Sequence, residues 1–218
     1  MGRPAMSAEE VRNNKISIIN AAREMIRENG TTSVSARALG TRTGMNSALI
    51  YRYFQDIDEV VLFACVHVLQ EYTYEMARSG SSENLSDTDL YLRSWELFSK
   101  HAFSNPDEYH TLFFSRHSDN LQNVIRDYYE LFPNDLSSDD DIMLEAMFRT
   151  SDLRNRNLML LIPVLEGRLS EDRIILINDM TISYFYSLLS LLLNYGAKAT
   201  AESQKERMLS AVRFTIGL

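Results

Sequence analysis

Four histidines, one cysteine and a run of aspartates are the side chains best able to bind a metal or catalyse. None has the spacing that such chemistry needs. His67, His101, His110 and His117 include no i, i+4 pair of the kind that holds zinc on a helix, and Cys65 stands alone. Asp139-Asp140-Asp141 lacks the alternating ligands, glycine and closing glutamate of a calcium loop; charge of that sign suits a helix N-terminus. There is no G-x-S-x-G and no glycine-rich phosphate loop. The sequence therefore predicts no catalytic residue, no cofactor and no metal. The chemistry it does offer is recognition. Between Gly30 and Asp56 lies TTSVSARALGTRTGMNSALIYRYFQ, which sets short polar side chains, arginines and tyrosines at helical spacing. Ser47 can hydrogen-bond several bases and Ala48 can touch a thymine methyl. Arg37 and Tyr51 suit phosphate oxygens, and Asn46, Arg52 and Tyr53 complete the candidate DNA-contacting set.

Those side chains need two short helices and a tight turn to present them. Ser35 is a suitable N-cap for a helix over Ala36–Thr43, with Val34 placed to staple against Leu39. Gly44 supplies the left-handed residue of a sharp turn. Asn46 caps a second helix from Ser47 to about Phe54, with Met45 placed against Ile50. Leu39, Ile50 and Phe54 should hold both against a preceding helix, which opens at the capping box Ser7/Glu10 and stops at Gly30. Two short helices joined around a glycine form a helix-turn-helix, whose second helix enters a major groove.

The stretch VSARALGTRTGMNSALIYRYF, with DEV opening a long helix after it, resembles the DNA-binding region of the TetR family. Leu39, Gly44, Tyr51, Tyr53 and Phe54 carry the likeness, which spans about residues 8–62. It implies an all-α dimer, a ligand-binding body, and repression relieved by a small molecule. Three positions depart from the family's usual pattern. Gly40 stands where alanine is usual, which should weaken its helix by about 1 kcal/mol. Thr43 replaces the alanine before the turn glycine. Ile57 stands where a lysine usually meets a phosphate, so the salt slope of binding should fall by about one per subunit.

Charge divides the chain in the same place. The net charge of the 218 residues is −8. Residues 1–60 hold eight Lys/Arg against seven Asp/Glu, and the remainder hold 14 against 23. A neutral-to-basic head precedes an acidic, aromatic-rich body, giving expected domains of 1–55 for DNA binding and 56–218 for ligand binding and dimerisation. Screening over roughly 8 Å keeps the body's acid from repelling DNA at the far end. The pattern is helical nearly throughout, about nine helices in all, with glycines such as Gly30, Gly80, Gly167 and Gly196 following periodic apolar segments. One long helix is predicted from Asp56 to about Arg78. Others run near 87–103, 106–116, 120–131, from Asp139 to Leu169 with a kink or break near Pro163 or Ser151, from Ser170 to about Tyr195, and from Thr200 onward.

The body's aromatics are plain core by default. As a ligand-lining set, which the resemblance favours, Phe63, Trp95, Tyr109, Phe113 and Phe148 are the candidates, for a small and largely apolar effector. Ile174–Leu193 is apolar around most of its circumference, more than one buried face requires. Ile182, Phe185, Leu189 and Leu192, with Met208 and Val212 on the last helix, are the expected dimer contacts. The run Met180–Ala197 is too broken by polar residues for a membrane span. No export signal is seen at the N-terminus, and the lone Cys65 suits a reducing compartment, so a cytoplasmic location is expected. The reading that follows is a ligand-responsive, DNA-binding dimer, most simply a repressor. Its rival is a helical interaction protein that has lost operator binding; an enzyme ranks last.

Overall fold

A computed structural model describes residues 6–82, 85–135, 152–195 and 200–218. Phe148, Asp139–Asp141, Gly196 and the expected helix start at Asp139 lie outside these residues. Eleven α-helices are present among the described residues, with no strand: α1 Ala8–Asn29, α2 Ala36–Thr43, α3 Ser47–Tyr53, α4 Ile57–Cys65, α5 Leu69–Ser82, α6 Asp87–Ser104, α7 Pro106–Phe114, α8 Leu121–Leu131, α9 Leu153–Leu165, α10 Glu171–Tyr195 and α11 Ala201–Ile216.

Local chemistry sets the helix ends. Ser7 accepts from the Glu10 amide at 3.1 Å while Glu10 reaches back to the Ser7 amide at 2.8 Å, a full capping box. Gly30 leaves α1 at φ 78°, where a side chain would be strained. Ile18, Ile19 and Ala22 of α1 close over Leu39, Ile50 and Phe54, all buried, and this makes the head's core. α4 is buried along its length from Val60 to Cys65, because α1 lies on one side of it and α7 and α8 on the other. It is the element shared by head and body. In the body, α6 packs against α5, α9, α10 and α11.

Three expectations need correction. The helix from Asp56 to Arg78 is two helices: a short 3-10 segment, Val66–Val68, separates α4 from α5. β-branched Val66 and Val68 and the bond from the His67 ring Nδ1 to the Ala64 carbonyl, 2.7 Å, tighten the chain there. α5 then runs through Gly80 instead of stopping at it. Last, five of the six expected dimer contacts face this chain's own core. Ile182, Phe185, Leu189, Met208 and Val212 are each at most 3% exposed, and Leu192 is half-buried. The excess apolarity of α10 is real, but its outward arc is a different set: Leu176 and Met180, more than half exposed, with Ser183, Tyr186 and Ser187. α10 is also long and apolar enough to span a membrane by length and composition. Its buried side packs on α6, α7, α9 and α11.

Candidate nucleic-acid interface

The turn between α2 and α3 is built as its residues require. Ser35 caps α2 by accepting from the Ala38 amide at 3.3 Å, and Gly44 ends it at φ 71°, in the left-handed region. Asn46 caps α3 by accepting from the Ala48 amide at 2.9 Å. The two helices sit unusually close. A Cβ on Gly40 would lie 2.8 Å from the Met45 carbonyl oxygen, and the Ser47 hydroxyl donates to the Ala36 carbonyl at 3.2 Å. The glycine read from sequence as a weakness is what lets the turn seat against α2.

With Ile50 and Phe54 locked inward, the opposite side of α3 is fixed outward. Asn46, Ala48, Tyr51 and Arg52 are exposed, and Arg37 is exposed on α2. Among the described residues Arg37 and Arg52 form no ion pair. Arg42 differs: it is held by Glu28 at 2.8 Å and Glu24 at 3.7 Å on α1. Tyr53 is half-buried, its hydroxyl accepting from the Asn14 amide group at 3.0 Å and lying 3.3 Å from the Met6 sulfur. Ser47 and Tyr53 thus support the surface from within, while Arg37, Ala48, Tyr51 and Arg52 form it. Ile57, at the start of α4, turns partly inward onto the core.

Beside Ile57 lies a cluster that the sequence does not announce. Asp56 caps α4 by accepting from the Glu59 amide at 2.9 Å. Its carboxylate also meets His117 Nε2 at 2.9 Å and Arg116 at 2.7 Å, and Arg116 reaches Asp58 at 2.9 Å. Burial pushes the Asp56 carboxyl up, but the Glu59 amide, His117 and Arg116 together hold it below the usual carboxylate range. Asp56, Asp58 and His117 are close enough for a metal. The guanidinium already bridging the two carboxylates supplies the positive charge.

α1 is tied to the body on its other side. Arg23 lies over the rings of Phe132 at 4.6 Å and Tyr128 at 5.0 Å and pairs with Asp135 at 3.1 Å, while Arg12 donates to the Leu131 carbonyl at 2.9 Å. In the body, Trp95, Tyr109 and Phe113 converge on Phe98, with ring centroids 5.8, 5.6 and 5.4 Å away. Phe63 does not join them; it packs on Phe54 at the head–body junction, 5.5 Å between centroids. Tyr109 is fully buried, and its hydroxyl has no hydrogen-bond partner among the described residues.

Residues 18–63 match the family of bacterial regulatory proteins, tetR family. No curated protein sequence matches the chain. Among solved structures, the chain is similar to FadR from Thermus thermophilus, a TetR family transcriptional repressor in complex with lauroyl-CoA: TM-score 0.56, 15% identity, 91% of this chain and 92% of that one covered. A TetR-like transcriptional regulator from Rhodococcus sp. RHA1 gives a TM-score of 0.50 at 13% identity, covering 98% of this chain and 100% of that one.

Proposed function

We propose that this chain, a transcriptional regulator whose N-terminal helix-turn-helix is that of the TetR family, is a repressor that grips a near-palindromic operator as a dimer and lets go when an effector enters its body. The carrying observation is the outward side of α3, where Ala48, Tyr51 and Arg52 are exposed on a helix anchored by buried Ile50 and Phe54. Residues 1–55 form the reading head and 56–218 the sensing and pairing body. Ala48 reads base edges, and Arg37, Tyr51 and Arg52 hold phosphates. Asn46, Ser47 and Tyr53 fix the pitch of α3.

Pairing uses the exposed arc of α10, Leu176, Met180, Ser183 and Ser187, together with Phe214 of α11, which is 81% exposed. The exposed apolar side chains Leu176, Met180 and Phe214 suit a partner's surface, and a two-fold dimer would set two heads about 34 Å apart, one turn of DNA. The effector reading rests on the Trp95–Phe98–Tyr109–Phe113 cluster. A buried hydroxyl left unpaired costs about 1–3 kcal/mol, so the Tyr109 oxygen favours an effector with a polar group on an apolar body. The Thermus relative's lauroyl-CoA has that character. A cytoplasmic location follows from work on DNA.

Fluorescence anisotropy with duplexes from the DNA upstream of this chain's own coding sequence tests the reading. Wild type should bind one duplex above the rest. Tyr51→Ala should bind all of them about tenfold more weakly, the loss of a phosphate hydrogen bond. Unchanged affinity and salt slope in a folded Tyr51→Ala protein would remove Tyr51 from the DNA surface. No binding by wild type to any duplex would favour the rival reading, an interaction protein on a helix-turn-helix fold.

A further inference from the structure

We propose that the effector is an organic acid, its carboxylate held in the body by the Arg156 guanidinium and the Tyr72 and Tyr109 hydroxyls, its apolar part against Phe113 and Trp95. The inference rests on the regulator reading and gives its effector a chemical class. Three helices bring these side chains together: Tyr72 comes from α5, Tyr109 and Phe113 from α7, and Arg156 from α9. The Arg156 guanidinium lies over the Phe113 ring, 5.5 Å from its centroid. Tyr109 packs beside Phe113, 5.9 Å between centroids, and Tyr72 meets the same cluster through Phe98 at 5.5 Å. α9 is pinned at this point. Asn157, the next residue, is buried; it accepts from the Trp95 indole at 2.9 Å and donates to Asn178 of α10 at 2.8 Å.

The chemistry of this group is that of an anion receptor. Arg156 Nη1 is shut off from solvent. Burial lowers the guanidinium's pKa from the ordinary arginine value, and the Tyr72 and Tyr109 oxygens act the other way. The group keeps its charge at neutral pH all the same. A guanidinium carries five N–H donors in a planar fork, so it can serve several acceptors at once, and the fork matches the two oxygens of a carboxylate. Tyr109 points to the same ligand independently. Its side chain is wholly buried, and its hydroxyl meets no hydrogen-bond partner among the described residues. Burial pushes both phenols above the ordinary tyrosine value, so each keeps the proton it would donate. A buried hydroxyl without an acceptor is costly. A carboxylate seated on Arg156 supplies one, through a short charge-assisted bond. Glu71, whose carboxylate also reaches Tyr109, is exposed, so water screens it. A neutral alcohol would gain nothing from the charge of Arg156, and a cation would be repelled by it.

The test reads the site from inside it. Trp95 is the chain's single tryptophan and stands in the cluster, 5.8 Å from Phe98 between centroids, so its fluorescence reports an occupant. The probes are straight-chain and phenyl-substituted carboxylic acids of graded length, each paired with the neutral alcohol of the same skeleton. They are titrated into the full chain at pH 7.5, where the acids are ionised. At least one acid should change the Trp95 emission and bind about tenfold or more tightly than its alcohol, the effect of charge-assisted hydrogen bonds. Arg156→Gln should erase that preference, acid and alcohol then binding alike. Tyr109→Phe should weaken the acid about fivefold. If Arg156→Gln fails to fold, Arg156→Lys replaces it: lysine keeps the charge but loses the fork, so the preference should shrink without reversing. No acid bound by wild type, an alcohol bound as tightly as its acid, or a preference undiminished in a folded Arg156 variant overturns the proposal. An acid that binds through Arg156 yet leaves duplex affinity unchanged keeps the anion site and counts against the effector-relieved repressor instead.

Discussion

At the scale of single residues, position decides more than type. Helix propensity alone says that Gly40→Ala should stabilise α2 by about 1 kcal/mol. Geometry says the opposite, because the added Cβ would meet the Met45 carbonyl oxygen, a backbone atom, at 2.8 Å. The turn cannot yield without moving Asn46 and the start of α3. Gly40→Ala is expected to lower stability by about 1–3 kcal/mol, the usual range for overpacking, and to weaken DNA binding by displacing α3. Thermal unfolding followed by circular dichroism measures the first effect; a raised melting temperature would mean the turn relaxes freely. The same contrast runs through the candidate site. Caps, turn glycine and the buried trio Leu39, Ile50 and Phe54 were legible in sequence, since each depends on neighbours within a few residues. The inward bonds of Ser47 and Tyr53, to Ala36 and Asn14, depend on how helices settle together. So does the Asp56 cluster, whose partners lie about sixty residues apart.

At the scale of elements, helix ends follow from capping and glycine chemistry, and the departures occur where packing overrides it. The break between α4 and α5 carries no glycine or proline, so nothing in the local sequence flags it. Burial does: Cys65, Val66 and Leu69 are fully buried around it. His67 sits at this hinge, and burial holds its pKa below the ordinary histidine value despite the Ala64 carbonyl. A histidine kept neutral in the fold but free to charge when unfolded makes stability fall as pH drops below about 6.5 toward its folded value. The loss approaches about 1.4 kcal/mol per pH unit if the unfolded chain takes up one extra proton. Denaturant unfolding of wild type and His67→Gln between pH 7.5 and 5.5 measures it, and the variant should show the shallower decline. Identical slopes would assign the acid sensitivity elsewhere. The expected dimer contacts teach a related lesson. Periodicity identified α10 as apolar on too many sides but could not say which side the chain's own fold buries. Met180→Glu/Phe214→Glu should give a folded monomer by sedimentation at micromolar concentration, whereas Leu189 faces the core and its substitution by a charge should unfold the chain. A double variant that stays dimeric would move the interface off α10 and α11.

At the scale of the whole molecule, the head is joined to the body by packing along α4 and by polar ties on two flanks. Arg23 with Tyr128, Phe132 and Asp135 holds α1 to the body, and Asp56 with Arg116 and His117 holds the start of α4. If such a fold admits two head positions that differ by a small energy, two ligands can choose between them. An effector in the body shifts the heads only as far as it prefers one position to the other, typically by about 1–3 kcal/mol. That coupling is reciprocal: if the effector weakens operator binding by some factor, operator must weaken effector binding by the same factor. Calorimetry of a compound that co-purifies with the chain, or is found by screening apolar acids, should therefore give a dissociation constant about 5- to 150-fold higher in the presence of saturating operator duplex. Equal effector affinity with and without operator in wild type would break the link between the two sites, leaving a DNA-binding protein whose control does not pass through its body.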